Sequence, residues 1–267
     1  MTRVVVSAPL DQFSSGEFRF LEEAARLGEV HVLLWPDAAF RPLAGRDPKY
    51  PAAERQYVLA ALRYVAAVHA AAAPTSPDAL PALGSLRPDI WAIETAHDTP
   101  AKRVFCAAHG LVCHVVTARE LAGFPEPPGP THTKVIVTGC YDMFHSGHVR
   151  FFEEVSALGD LTVVLGHDAN VRHLKGPGHP LFSAAERRYL VASIRHVRQA
   201  LISTGMGWLD AEPEIAKVKP GIYAVNEDGD RPEKRQFCQQ HGIRYIVLQR
   251  LPKPGLPRRS STDLRGF

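Results

Sequence analysis

The chain has 267 residues, 45% of them hydrophobic and 22% charged, with a formal net charge of +3. That length buries one large core or two modest ones. So weak a positive balance suits a protein that handles small anions better than one that grips a nucleic-acid backbone, which wants a strong basic stripe.

In chain order, the β-branched run Val4–Val6 reads as a buried parallel strand. A helix, a second strand, a helix over "AAERQYVLAALRYV" (52–65), a third strand, a helix and a fourth strand follow. "FPEPPGPTHT" (124–133) reads as a linker, extended at roughly 3.1 Å per residue where polyproline-like. The same series then restarts. Val135–Val137 is a strand, and Phe151, Phe152, Val155 and Leu158 fall at helical spacing. "LTVVLG" is a strand, "AAERRYLVASIRHV" (184–197) a helix and "PGIYAVN" a strand. "RPEKRQFCQQHG" is a helix closed by Gly242, and "IRYIVL" is the last strand. Strand–helix alternation with short connections predicts α/β units, each a parallel sheet with helices on both faces.

The restart is a duplication. Residues 4–37 align without gaps on 135–168, with 15 of 34 positions identical, and two further blocks follow in the same order. A period near 131 residues is too long for a solenoid repeat. Two tandem Rossmann-like domains are therefore expected, at 1–121 and 134–267, joined by the linker 122–133.

No stretch approaches the ~20 apolar residues of a membrane span, and "MTRVVVSAPLDQF" holds no signal-peptide core. Cys106, Cys113, Cys140 and Cys238 form no CxxC pair. A reduced, cytoplasmic protein is expected, with no nucleic-acid partner.

"GCYDMFHSGH" (139–148) lies after the first strand of the second half, at the start of a helix. Ligands of parallel sheets bind at such strand ends. His145 and His148, three apart, share one face. The helix start offers free N–H groups to an anion, and Gly147 leaves room for a phosphate. A metal site with Asp142 as third ligand does not match a zinc spacing, and neither GxGxxG nor GxxxxGK[ST] occurs. In the first half Ser14 and Glu17 replace the two histidines, whereas Phe13, Ser15, Gly16 and Arg19 persist. The fold keeps the glycine and the apolar residues; only one copy has the imidazoles, which makes them candidates for chemistry.

This stretch resembles the HxGH motif of the nucleotidyltransferase superfamily. With "HLKG", "ERR" and the late "RSSTDL", the second half looks most like the cytidylyltransferases that act on phospho-alcohols. The tandem layout resembles that of ethanolamine-phosphate cytidylyltransferases. The resemblance implies CTP as donor, Mg²⁺ with the triphosphate, and no protein-held metal. His145, His148 and Lys175 are the implied catalytic residues. Thr138, Gly139, Tyr141, Asp142, Gly147, Asn226, Ser261 and Thr262 are implied on the nucleotide side, together with Arg187 and with Arg250 or Arg259. The first half keeps Arg187 as Arg55, so that arginine is either a ligand or a structural residue paired with a carboxylate. Ser261 and Thr262 also read as a helix cap. Asn226 and Glu227 stand where the family often has a small residue, so ATP in place of CTP stays open.

Phosphoethanolamine, phosphocholine, glycerol phosphate and polyol phosphates are the candidate acceptors. Trp208, Asp210 and Glu212 could form an ammonium pocket. The alternatives are an adenylyltransferase acting on a sugar or vitamin phosphate and a nucleotide-binding regulatory module without turnover. The first half, lacking both histidines, the lysine and the hydroxyl motif, is expected to be catalytically dead. It is expected to pack on the second half as an internal pseudo-dimer, with a further homodimer possible.

Overall fold

The structure is a computed structural model that describes residues 1–126, 134–261 and 264. Most of the expected linker, 127–133, and the candidate Thr262 lie outside the described residues. Contacts divide the chain into two units, Met1–Gly123 and Phe124–Phe267.

The first unit runs β1 (Arg3–Val6), α1 (Ser15–Ala25), β2 (Glu29–Leu34), α2 (Phe40–Ala44), α3 (Ala52–Ala60), β3 (Val65–Ala70), β4 (Ile90–Glu94), α4 (Pro100–Ala108) and β5 (Val112–Val116). The second runs β6 (Val135–Gly139), α5 (Ser146–Ser156), β7 (Leu161–Leu165), α6 (Asp168–Lys175), α7 (Ala184–Ala192), β8 (Gln199–Ile202), α8 (Glu212–Val218), β9 (Ile222–Asn226), α9 (Pro232–Gln240) and β10 (Arg244–Leu248). Each unit holds a five-stranded parallel sheet, ordered β3-β2-β1-β4-β5 and β8-β7-β6-β9-β10. The orders correspond strand for strand, so the duplicated sequence is a duplicated fold. Among the described residues no helix is long and apolar enough to cross a membrane.

The sheets are covered on both faces, and every residue of β7 is buried. Ile136, Val164, Tyr223 and Val225 pack against Ile215 of α8 and Phe237 and Cys238 of α9. Val5, Leu33, Trp91, Ile93 and Cys106 form the counterpart in the first unit.

Each sheet has one strand more than the four expected per half. β3, "VAAVHA", is alanine-rich, and β8, "QALI", has four residues. Neither carries a β-branched run; pairing along β2 and β7 makes them strands. The helix expected over 184–197 stops at Ala192. There Ser193 Oγ donates back to the Tyr189 carbonyl at 2.9 Å, a bond that competes with helix continuation. α6 and α8 are further departures, and Lys175 ends α6.

β6 pairs β7 over five residues but β9 over only two, Val135 with Ile222 and Ile136 with Tyr223. Past those pairs the two strands part. The strand order also reverses there, so a crevice opens at their carboxyl ends, the favoured ligand position in such sheets.

Candidate active site

A cavity of about 420 Å³ fills that crevice. The ends of β6 (Thr138, Gly139) and β9 (Val225, Asn226), the first turn of α5 and the end of α6 line it. The segments after β8 and β10 and the start of α9 complete the wall.

His145 is the N-cap of α5, in extended conformation, and its Nδ1 accepts from the Gly147 N–H at 3.1 Å. An accepting Nδ1 leaves the proton of a neutral ring on Nε2. His148, one turn on, stacks against His145 with centroids 3.9 Å apart. Tyr141 and Phe144 pack on His148 at 5.2 and 5.5 Å. Burial first, then the neighbouring His145, Arg250 and Lys175, hold His148 well below the ordinary imidazole range. It is therefore neutral near pH 7 and has an N–H to offer an anion. Tyr141 sits at a φ of 56°, and burial raises its phenol above the usual range, keeping it protonated.

The two glycines of the motif have packing explanations. A Cβ on Gly139 would lie 2.7 Å from the Tyr141 ring. A Cβ on Gly147 would lie 2.9 Å from two atoms of the His145 ring. The His145 ring thus packs where a Gly147 side chain would lie, and Gly147 itself still lines the cavity.

Four cationic side chains, Lys175, Arg231, Lys234 and Arg250, share the cavity with two carboxylates, Asp210 and Asp228. Arg250 is held by Asp228 at 2.5 Å and by the Arg259 carbonyl at 3.2 Å. Of the two arginine candidates, Arg250 lines the large cavity, while Arg259 lines only a smaller hollow beside it that Arg250 also lines. Ser261 also reaches the large cavity, its Oγ donating to the Met143 carbonyl at 3.3 Å.

Two candidates lie elsewhere. Asp142 accepts from the N–H groups of Leu181 (2.7 Å) and Phe182 (3.1 Å) and contacts His179 Nδ1 at 3.1 Å. It fastens that loop and does not line the cavity. Arg187 is fully buried and donates to the carbonyls of Phe182, Cys140 and Gly166 and to Asp168 Oδ1. Arg55 does the same with Tyr50, Pro9, Trp35 and Asp37. Both copies keep the arginine because it ties three loops together, so its structural reading replaces the ligand reading.

The expected ammonium pocket is not assembled. Trp208 stands at the cavity, 46% exposed, but the Arg231 guanidinium lies 4.7 Å over its ring. Glu212 is exposed and is absent from the cavity wall.

Similarity to known proteins then fixes the family. Residues 136–254 match the model of the Cytidylyltransferase-like family. An FAD synthase of Ferroglobus placidus is 33% identical over 119 residues, 43% of this chain and 74% of that protein. An FAD synthase of Methanosarcina mazei is 32% identical over 138 residues, 51% of this chain and 80% of that protein. The chain belongs to the cytidylyltransferase-like family of nucleotidyltransferases. The bifunctional protein HldE of Syntrophotalea carbinolica is 44% identical over 96 residues, which are 34% of this chain and only 19% of that protein.

The matched cytidylyltransferase-like span includes both histidines, Lys175 and Arg250. It also includes a residue the sequence reading missed. Lys234 is 7% exposed, lines the cavity, and donates to Thr138 Oγ1 at 3.2 Å. Thr138 Oγ1 also shares a 2.7 Å hydrogen bond with the Tyr223 hydroxyl. A signal was present: Lys234 precedes the buried Phe237 and Cys238 by three and four residues, which puts a charge on the apolar face of α9.

The first unit shows what the same scaffold does without the motif. Ser14 caps α1, and Glu17, in the place of His148, turns back to accept from the N–H groups of Gln12 and Ser14. A protein carboxylate thus occupies the helix start, and burial raises that carboxyl to about 7.

Proposed function

We propose that the second unit transfers a nucleotidyl group from a nucleoside triphosphate to a phosphorylated small acceptor and releases pyrophosphate. One observation carries this reading: the stacked His145–His148 pair at the start of α5 shares a single cavity with Lys175 and Arg250. The helix start and the imidazoles donate hydrogen bonds, and the two cations balance charge, which is what a crowded triphosphate requires. An acceptor phosphate oxygen attacks the α-phosphorus in line. The bond from that phosphorus to the bridging oxygen breaks, and pyrophosphate leaves with the electron pair. The attacking oxygen is already anionic, so no side chain has to remove a proton. Catalysis is positioning and charge stabilisation. Mg²⁺ enters as part of the substrate, bound through phosphate oxygens and water.

The donor base has two supported readings. The resemblance of the motifs supports cytidylyl transfer from CTP. The two FAD synthase relatives support adenylyl transfer from ATP, because FAD contains an adenylyl group. The first unit, with Ser14 and Glu17 at the helix start, is assigned no turnover. Pyrophosphate release measured with CTP and with ATP, over a panel of sugar, polyol, amino-alcohol and vitamin phosphates, tests the proposal. His148→Ala is expected to lower the rate by about 100- to 1,000-fold. Nucleotide binding without turnover on any acceptor would replace the proposal with a regulatory binding module.

A further inference from the structure

The duplication carries a second comparison, away from the histidines. Lys234 and Asp210 correspond to Lys102 and Asp78 of the first unit, each at an offset of 132 residues. In the first unit the pair is closed. Lys102 Nζ lies 2.9 Å from Asp78 Oδ1, and Thr99 Oγ1 donates to the same oxygen at 2.8 Å. In the second unit the pair is open: among the described residues no ion pair joins Lys234 to any carboxylate. Lys234 turns to Thr138 Oγ1, and Asp210 Oδ2 accepts from Ser203 Oγ at 2.7 Å.

Particular exchanges account for the difference. Ser203 holds Asp210 aside; its counterpart Ala71 has no donor. Thr99, which fastens Asp78, is replaced by Arg231, which lies over Trp208 instead. The result is a buried ammonium and a carboxylate that both face one cavity, each with one hydroxyl as its hydrogen-bond partner, the ammonium also lying 5.7 Å over the Tyr223 ring. A buried charge with so little compensation is unfavourable unless something else completes its shell.

We infer that this opened pair is the acceptor subsite: Lys234 binds the phosphate of the acceptor and Asp210 accepts from one of its hydroxyl groups. The acceptor is then a phosphorylated polyol and not a phosphoester of an ammonium alcohol. The surroundings agree, since Arg231 covers the Trp208 ring and adds positive charge beside Lys234. Burial also holds the Lys234 amine below the usual lysine range, a shift that a bound anion would reverse. The inference rests on the proposed transfer reaction for the word acceptor, but its binding test does not.

The test uses the full chain and titration calorimetry with glycerol 3-phosphate and phosphocholine. Each is titrated alone and with the triphosphate site filled by an α,β-methylene analogue of CTP or ATP. Wild type is expected to bind glycerol 3-phosphate more tightly than phosphocholine. Lys234→Met is expected to weaken glycerol 3-phosphate by roughly 10- to 100-fold, the loss of a charge-assisted hydrogen bond, and to leave analogue affinity within about twofold. In turnover the same variant raises the acceptor KM far more than it lowers kcat, and Lys234→Arg restores part of the affinity.

Ser203→Ala, a milder change, should free Asp210 to close on Lys234 as in the first unit and weaken glycerol 3-phosphate without removing either charge. Lys102→Met should leave it unchanged. Equal loss of analogue and glycerol 3-phosphate in Lys234→Met would overturn the inference and leave the proposed function standing. So would preference for phosphocholine. Failure of wild type to bind either analogue would sink the proposed function, and the glycerol 3-phosphate comparison would still decide the inference.

Discussion

The same substitution, glycine to alanine, can be made at the equivalent positions Gly147 and Gly16, and the structure assigns the two changes opposite outcomes. Both glycines lie in the first turn of their helices, α5 and α1. In a helix alanine is favoured over glycine by up to about 1 kcal/mol. At Gly16 the new Cβ would meet only Ser14 Oγ, at 3.8 Å, an ordinary contact. Gly16→Ala should therefore stabilise the protein by about 0.5 to 1 kcal/mol. At Gly147 the new Cβ would lie 2.9 Å from the His145 ring, which must move by roughly half an ångström to regain ordinary contact. His148 is stacked 3.9 Å away, so the ring cannot move freely. Pushing the ring off its rotamer costs about 0.5 to 1.5 kcal/mol, and losing the capping bond to Gly147 N–H costs about 1 more. These exceed the helix gain, so Gly147→Ala should lose about 1 kcal/mol net. Its larger effect is on rate: displacing a transition-state donor by such a distance should cost about 10- to 100-fold. Urea unfolding and pyrophosphate release, measured on both variants, separate the two effects. A Gly147→Ala protein that is stabilised like Gly16→Ala and retains its full rate would refute the claim that the glycine exists to seat His145.

Three further outcomes follow from the geometry. His148 is held well below the usual imidazole range; an anion beside it favours the imidazolium, so nucleotide binding should take up a proton and tighten as pH falls. Calorimetry in two buffers of different ionisation heat reads that uptake, and no uptake, or uptake that survives His148→Asn, contradicts the assignment. Glu17 has a folded value of about 7 against an ordinary 4.5, so its contribution to stability is full below 4.5, declines as pH rises to about 7, and is level above. Glu17→Gln should flatten that slope in a thermal-unfolding series, and an unchanged slope would exclude Glu17 as its source. Arg187→Met and Arg55→Met should each destabilise by about 3 kcal/mol, because each strands three carbonyls, while the partly exposed Asp168 and Asp37 can turn to water. Denaturant unfolding checks both, and a change under about 1 kcal/mol in either would contradict the shared structural role.

The amino-acid order alone determined the duplication, the α/β class, and the placing of the HxGH stretch at a strand end. Those properties depend on local pattern: β-branched runs, helical spacing and the recurrence of blocks at one offset. It also separated the residues common to both copies from the imidazoles that only one has. Only the tertiary structure decided which charges share the cavity. Arg187 and Asp142 look like ligands in a motif, yet the loops that cross near them and the start of α6 supply their partners. Lys234 looks like one more charge on a polar helix, yet the packing of α9 on the sheet buries it at the cavity wall. β3 and β8 are strands because a neighbouring edge offers hydrogen bonds, not because of their own residues. The physical reason is the same in each case. Propensity and periodicity act over a few residues, whereas burial, charge pairing and sheet pairing depend on groups that the chain brings together from tens of residues away.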